Sequence, residues 1–492
     1  MISSVLLLAS CPDGNDNKTP GTPSEKEKTY ADFDTWNEWL AHKYNKEFGW
    51  DALSGLGSLK APITHDMLAE EYFFAKGLNA GWNLGNTHDL NNNPRADSGH
   101  YEKLLPGVKA AGFNVMRIPV TWGSTATGTG HNTELSEALL DQVEQAVIAA
   151  HNAGLVVFIN SHHDKAFFNL NLAGASYNAS GENGVDFVSY TNRYIAVWTQ
   201  IAARFKDYGE WLLFESINEP TITDSSGTIR WDGAEPEYHE VINRWNQAFV
   251  DTVRESGGNN EKRYLIFKSY AAKLQPSLVP ANGFRIPTDP AGEGRLVYSF
   301  HLYVPQPLAL EGQNANWSSG QSVVFSGPFG QARGAYLVKN IPVFMGETGA
   351  TFHSQRTGED SITANKNRIL MLNALGAEAR KYGIIPCLWD NGEATRNAYA
   401  NQPNGETFAL FRRKAAHDDD FNNWGLPIDH TKVAGGSNVG STGGNEMAAG
   451  NAAYDDPDFG AYTIKAFIEA VNGITSKNDP AFPPKLAEKL GL

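Results

Sequence analysis

The chain has 492 residues, 41% of them hydrophobic and 19% charged, as expected of a globular protein with a large buried core. Its formal net charge of −15 excludes the basic surface that nucleic-acid binding requires, so we expect no nucleic-acid partner. Two cysteines, Cys11 and Cys387, exclude a disulfide-built scaffold, and no apolar run is long enough to cross a bilayer.

The first residues resemble a bacterial lipoprotein signal. An apolar run over residues 5–8 and the small residues Ala9 and Ser10 precede Cys11, which stands where such proteins carry a lipid. We therefore expect a lipoprotein-type signal segment over residues 1–11, a lipid anchor at Cys11, and a place in the bacterial cell envelope. The alternatives are a secreted protein or an N-terminus that is not a signal. Residues 12–30 are polar with little to bury, which predicts a disordered tether.

Residues 31–492 are predicted to form one domain, and residues 31–76 a cap on it, because Phe33, Trp36 and Leu40 follow helical spacing. Eight short, almost continuously apolar stretches then alternate with amphipathic patterns, which is typical of a parallel sheet covered on both faces. The predicted strands are 78–84, 114–120, 155–161, 211–218, 264–269, 296–301, 342–346 and 383–390. The clearest predicted helices are 135–152, 188–205, 363–381 and 461–471.

Eight rounds of strand and helix predict a closed (β/α)₈ barrel, and we expect a monomer. Gly154 and Gly383 each follow a predicted helix and should end it. Cys387 lies in an apolar run and should be buried. Residues 391–458 form a long loop after the eighth strand, which places the loop on the face that carries the active sites of barrel enzymes.

Polar residues collect where the predicted strands end. Arg117 lies in the second strand, His162 and His163 follow the third, and Glu219 follows the fourth. His301 ends the sixth strand and Glu347 directly follows the seventh. Because the carboxyl ends of barrel strands meet at one face, these side chains should converge. Two facing carboxylates are what glycosidic bond cleavage requires, since one protonates the leaving oxygen while the other attacks the anomeric carbon or activates water.

The ordered set of motifs resembles glycoside hydrolase family 5, and most of all its subfamily 4 endoglucanases. The motifs are Gly81–Thr87 (GWNLGNT), Arg117–Pro119 (RIP), Asn218–Pro220 (NEP), His301–Tyr303 (HLY), Gly346–Glu347 (GE) and Trp389–Gly392 (WDNG). The resemblance implies a retaining endo-β-1,4-glucanase that needs no cofactor or metal. Its substrate would be a plant polysaccharide of the glucan type, such as β-glucan, xyloglucan or cellulose.

The resemblance also implies roles for individual residues. Glu219 would be the acid/base residue, with the higher pKa, and Glu347 the nucleophile. Arg117 and Tyr303 would keep Glu347 ionised and oriented. The residues expected to contact or surround the sugar are Asn86, His162, His163, Asn218, His301 and Trp389. Candidate platforms for further sugars are Trp122, Phe167, Phe168, Trp231, Trp317 and Trp424.

Other functions remain open at this point. A β-mannanase, a xylanase or an exo-β-glucosidase would use the same barrel, and a glycan-binding lipoprotein would use it without catalysis. A metal-dependent hydrolase is disfavoured, because His162 and His163 are adjacent and adjacent strand residues face opposite ways.

Overall fold

The computed structural model describes residues 28–52, 55–90, 101–177, 184–231, 235–274, 283–310, 317–351, 359–392, 408–411, 413 and 459–473. Eight parallel strands close into a barrel in chain order, with the first paired to the last. The strands are β1 (Gly81–Leu84), β2 (Val115–Ile118), β3 (Val156–Asn160), β4 (Leu212–Glu215), β5 (Leu265–Lys268), β6 (Leu296–His301), β7 (Val343–Thr348) and β8 (Ile384–Asp390). Each predicted strand overlaps one of these, so the predicted (β/α)₈ barrel is confirmed.

Helices surround the barrel and cover one of its ends. They are α1 (Trp36–Tyr44), α2 (Ala69–Ala75), α3 (Tyr101–Ala110), α4 (Glu137–Asn152), α5 (Lys165–Phe168), α6 (Leu170–Ser176), α7 (Val185–Phe205), α8 (Pro236–Glu255), α9 (Gln306–Ala309), α10 (Val323–Ala335), α11 (Glu359–Tyr382) and α12 (Phe459–Val471). The four predicted helices correspond to α4, α7, α11 and α12. None of the helices within the described ranges is long and apolar enough to span a membrane.

The strands are buried on both faces, which explains their almost continuous apolar sequences. On the outer face, Trp198 of α7 packs edge-on against Phe249 of α8, with ring centroids 4.5 Å apart, and also contacts Phe214 of β4. This packing fixes the helices around the barrel, so that the loops at the carboxyl ends of the strands are held on a rigid frame.

The N-terminal segment lies at the end of the barrel where the strands begin. Trp36 of α1 packs there on Gly383, which precedes β8; a Cβ atom on that glycine would lie 2.3 Å from the indole. Gly383 has φ +80° and Gly154 has φ +78°, so both end a helix in the left-handed conformation, as predicted. Cys387 is buried, also as predicted. The opposite end of the barrel is left for the polar residues.

Candidate active site

Charged side chains from separate strands meet at the carboxyl end of the barrel. Arg117 of β2, Glu215 of β4, Lys268 of β5 and Glu347 of β7 are all buried. A buried charge is stable only when it is paired and hydrogen-bonded. Each of these groups has an opposite charge within 4.0 Å. The convergence expected from the strand ends is therefore what the structure shows.

The guanidinium group of Arg117 lies at the centre of this cluster. It donates two hydrogen bonds to the Glu215 carboxylate, at 3.0 and 2.7 Å, and one to Oε1 of Glu347 at 2.7 Å. Its remaining N–H groups reach Oδ1 of Asn83 at 3.1 Å and Oδ1 of Asn218 at 2.7 Å. All five guanidinium donors are thus used, and both amides are held with their oxygens toward the arginine.

Glu347 is held on both carboxylate oxygens. Arg117 donates to Oε1, and the Tyr303 hydroxyl donates to Oε2 at 3.1 Å. Burial raises the pKa of Glu347, while the charge and hydrogen bond of Arg117 oppose that rise. The carboxylate is therefore fixed in position, and its anion is stabilised mainly by the arginine.

Glu219 faces Glu347 from beyond the end of β4. Its Oε1 contacts Nδ1 of His301 at 2.7 Å, and the nearest oxygens of the two carboxylates lie within 4.8 Å of each other. Burial and then the charge of Glu347 raise the pKa of Glu219. Since two carboxylates at this distance repel each other when both are ionised, one proton is retained by the pair.

Lys268 lies beneath His301 and was not among the predicted site residues. Its Nζ is 2.6 Å from Nε2 of His301, 3.3 Å from Oγ of Ser299 and 3.4 Å from Oε1 of Glu215. Burial lowers the pKa of Lys268, although the neighbouring charge of Glu215 raises it. Lys268 thus adds a second buried positive charge, besides that of Arg117, below the two catalytic carboxylates.

His162 lies beside Glu347 with a defined ring orientation. Asn160 accepts the Val120 backbone N–H on Oδ1 at 3.1 Å, so its Nδ2 faces Nδ1 of His162 at 3.2 Å. Burial lowers the pKa of His162, so the ring is neutral. Both ring nitrogens face an amide Nδ2, Nδ1 that of Asn160 at 3.2 Å and Nε2 that of Asn218 at 3.4 Å, and the shorter contact favours a proton on Nε2. Trp389 lies parallel to the ring, at 5° and 5.7 Å between centroids. Together they form an aromatic wall with an N–H donor.

His163 corrects one prediction. His162 and His163 do not face opposite ways, because β3 ends at Asn160 and strand alternation no longer applies. Their ring centroids are 4.4 Å apart, and each Nε2 is 3.9 Å from Oδ2 of Asp89. That oxygen has no hydrogen-bond partner among the described residues. Because Nε2 of His162 carries a proton, the arrangement suits a sugar hydroxyl better than a metal ion.

Asn86 acts on this corner through its backbone. It follows β1 in the left-handed conformation, with φ 54°, and the backbone N–H of the next residue, Thr87, donates to Oδ1 of Asp89 at 2.8 Å. The predicted site residue therefore positions a second polar residue that the sequence had not indicated.

A sequence model of the cellulase family, glycosyl hydrolase family 5, matches residues 75–395. The chain belongs to this family. It is 30% identical over 377 residues to endoglucanase A of Paenibacillus barcinonensis, covering 72% of this chain and 88% of that one. It is 31% identical over 341 residues to a xyloglucan-specific endo-β-1,4-glucanase of Bacteroides ovatus, covering 64% of each.

A solved family 5 structure shares the fold. The subfamily 4 broad-specificity endoglucanase from Ruminococcus champanellensis, with bound cellotriose, superposes with a TM-score of 0.58 and 28% identity, covering 71% of this chain and 94% of that one. The predictions of the family, the barrel and a glycoside hydrolase are confirmed.

The aromatic residues considered as sugar platforms divide by exposure. Trp122, Phe168 and Trp317 are buried and belong to the core of this family 5 barrel. Phe167 is partly exposed, and Trp231 is 44% exposed. Trp424 lies outside the described residues.

Five polar residues of the site were not predicted: Asn83, Asp89, Asn160, Glu215 and Lys268. Glu215 and Lys268 carry a recognisable signal, because each is a charge inside an otherwise apolar barrel strand, as Arg117 is. A charged residue in a buried strand needs an opposite charge nearby in the barrel. The charges of Arg117, Glu215 and Lys268 would therefore have predicted that these residues lie together.

Proposed function

We propose that Glu347 is the nucleophile and Glu219 the acid/base residue of a retaining endo-β-1,4-glucanase. The observation that carries this proposal is the spacing of the carboxylates, whose nearest oxygens lie within 4.8 Å. Retaining glycosidases keep their carboxyl groups about 5–5.5 Å apart, whereas inverting ones need roughly 6.5–9.5 Å to admit a water molecule. The spacing favours direct attack by a carboxylate.

The surroundings of the two groups support this division of roles. Glu347 has Arg117 and Tyr303 as donors, which is what an ionised nucleophile needs. Glu219 has a pKa raised by burial and by the charge of Glu347, which is what a proton donor needs. Its side chain is also 23% exposed, so it is accessible from the cleft.

In the first step, Glu219 protonates the glycosidic oxygen while Glu347 attacks the anomeric carbon, which breaks the glycosidic bond and forms a glycosyl ester. In the second step, the Glu219 carboxylate takes a proton from water, the water oxygen attacks the anomeric carbon, and Glu347 leaves. Asn218 would contact the sugar 2-hydroxyl through Nδ2, because its Oδ1 accepts from Arg117; Nδ2 has only a long contact, 3.4 Å, to Nε2 of His162.

The chain is an endo-acting hydrolase of β-1,4-linked, glucan-type polysaccharides. Its relatives are named endoglucanases, and its structural neighbours include complexes with cellotriose and with a xyloglucan heptasaccharide. These likenesses favour a glucan backbone over mannan or xylan, and catalysis over glycan binding alone. We propose that Trp389, stacked on His162, is the platform for the sugar that Glu347 attacks.

We further propose that Trp231 supports a sugar on the leaving-group side. Lys165 links it to the acid/base residue: its Nζ lies 5.7 Å from the Trp231 ring centroid and donates to Thr221, and its charge lowers the pKa of Glu219. A partly exposed indole next to Lys165 is placed to stack on a pyranose ring. A further subsite on the leaving-group side would lengthen the cleft, which endo action on a polymer needs.

Two substitutions test the catalytic roles. Glu347→Ala should abolish β-glucan hydrolysis. Glu219→Ala should reduce cleavage of the polymer far more than cleavage of aryl β-cellobiosides with good leaving groups, because those need little acid assistance. Proton NMR of the first products should show retained anomeric configuration. Activity in Glu347→Ala, equal losses on both substrates in Glu219→Ala, or inverted products would refute the assignment.

The Trp231 subsite has a matched control in Trp50. Trp50 is 41% exposed and lies under Lys46 at 4.0 Å, but it belongs to the N-terminal segment, away from the site. Trp231→Ala should raise KM for the polymer several-fold and leave KM for aryl cellobiosides unchanged, whereas Trp50→Ala should change neither. The same KM for the polymer in the Trp231→Ala and Trp50→Ala variants would contradict the proposed subsite.

We also propose that Cys11, which lies outside the described residues, carries a lipid that anchors the protein to the cell envelope. The protein is proposed to act there as a monomer. Expression in a bacterial host should give a membrane-associated protein with an acylated Cys11 by mass spectrometry, and Cys11→Ala should release it. A membrane fraction without the protein would contradict the anchor.

A further inference from the structure

We propose that Lys268 is a positioning residue that sets the tautomer of His301 and thereby holds the catalytic proton of Glu219 on the carboxyl oxygen that His301 does not contact. The inference rests on the acid/base role proposed for Glu219. Lys268 is fully buried at the end of β5 and touches none of the reacting atoms, so its hydrogen-bonding effect on Glu219 passes through the histidine.

The contacts of Lys268 define the direction of the hydrogen bond. An ammonium group has three donors and no acceptor. Its three neighbours are Nε2 of His301 at 2.6 Å, Oγ of Ser299 at 3.3 Å and Oε1 of Glu215 at 3.4 Å. Nε2 of His301 must therefore accept, and the neutral ring carries its proton on Nδ1.

That tautomer determines which oxygen of Glu219 is free. Nδ1–H of His301 donates to Oε1 of Glu219 at 2.7 Å, so Oε1 is an acceptor and the acidic proton belongs on Oε2. If Lys268 were neutral, Nε2–H would be able to donate to it, and Nδ1 would then accept the Glu219 proton. In that state the proton would point at the histidine and would be unavailable to the leaving group.

The charges of the cluster support an ionised lysine. Arg117 and Lys268 supply two positive charges, and Glu215 and Glu347 supply two negative charges when Glu219 is protonated. After the first step Glu347 is an uncharged ester and Glu219 is ionised, so the sum is again zero. Without the charge of Lys268, both states would carry an uncompensated negative charge in a buried site, which is costly.

Removing this charge should act on both catalytic carboxylates. The charged or titratable groups facing them are Arg117 from β2, His162 beyond β3, Lys165 of α5, Glu215 of β4, His301 of β6 and Tyr303 beyond it. Lys268 faces them as well and, like Arg117, favours the ionised form of Glu219 and of Glu347 alike. Its loss raises both pKa values, so both limbs of the kcat/KM profile should move to higher pH, by about one pH unit.

The test uses the full chain with Lys268→Met, which removes charge and donor, and Lys268→Gln, which keeps an N–H donor without the charge. Glu215 retains its two bonds from Arg117 and one from Asn160 in either variant, which favours folding. We expect the alkaline shift in both variants. In Lys268→Met, kcat/KM should fall at least tenfold more for the polymer than for an aryl cellobioside with a good leaving group.

The control is Lys43→Met, which breaks an ion pair with buried Glu70 at the other end of the barrel and should leave the pH profile unchanged. In ¹⁵N-histidine-labelled wild type, His301 should show a protonated Nδ1 and an unprotonated Nε2, and this measurement decides the question if the variants do not fold. A protonated Nε2, or folded variants with the wild-type pH profile, would overturn the inference. If Glu219→Ala itself fails to depend on the leaving group, the proposed function is wrong instead.

Discussion

Arg117→Lys keeps the positive charge at the centre of the site but removes the planar group that distributes it. Arginine uses five donors here, three of them on carboxylate oxygens. A lysine ammonium offers three donors from a single nitrogen, so it cannot bridge Glu215 and Glu347 while also holding both amides. At least two of the five hydrogen bonds must be lost.

The size of the effect follows from those losses. A hydrogen bond to a charged group contributes about 1.5–3 kcal/mol, so two lost bonds should lower the free energy of unfolding by about 3–6 kcal/mol. Losing the bond to Glu347 should lower kcat/KM by about 10- to 100-fold, since each 1.36 kcal/mol of transition-state stabilisation corresponds to about a factor of ten. Urea denaturation and β-glucan kinetics measure the two quantities separately.

Arg263→Lys is the matched control. Arg263 is also buried and makes five hydrogen bonds, four to backbone carbonyls and one to Asn260, but it contacts none of the catalytic residues. Its substitution should destabilise the fold and leave kcat/KM of the folded enzyme unchanged. If Arg117→Lys loses less than about 1 kcal/mol of stability and less than threefold in kcat/KM, then charge alone explains the role of Arg117.

Three other substitutions give distinct results. Burial raises the pKa of Asp89 from 3.8 to about 6, so its ionised form costs stability as pH rises through that interval. Asp89→Asn should therefore be more stable than wild type at pH 8 by up to about 3 kcal/mol in urea denaturation, with no gain near pH 4. Asn160→Ala should lower kcat about tenfold, because the Nε2–H donor of His162 is no longer fixed; unchanged kinetics would contradict that role. Glu215→Gln should shift the kcat/KM profile to lower pH, and adding Lys268→Met should bring it back, whereas additive shifts in one direction would contradict the charge balance.

The barrel was predictable because its signals are local. Each strand is a short apolar run with a helix after it, and Gly154 and Gly383 mark where two helices end. The boundaries were less accurate. The first strand was predicted from residue 78 and begins at Gly81, because the preceding residues serve the helical cap at the other end of the barrel.

The site was predicted where a residue follows a strand in a recognisable motif, as Glu219, His301 and Glu347 do. Site residues were missed where their role depends on contacts between neighbouring strands inside the barrel. Glu215 and Lys268 belong to neighbouring strands, and the register of β4 and β5, which pairs Glu215 with Ile266, brings Nζ of Lys268 to 3.4 Å from Oε1 of Glu215. The adjacent histidines were misjudged for a related reason, since the alternation of strand side chains ends with the strand at Asn160.

The two buried cations of the site, Arg117 and Lys268, have different roles. Arg117 binds Glu347 and Glu215 directly and cannot change its protonation, so it fixes the positions of the carboxylates. Lys268 is linked to Glu219 by hydrogen bonds through the His301 ring, and its charge also favours the ionised carboxylate. In the second step water returns to Glu219 the proton that the leaving group removed, so the charges of the five groups sum to zero before and after each step. Lys268 is the group whose positive charge brings the total charge of this buried site to zero.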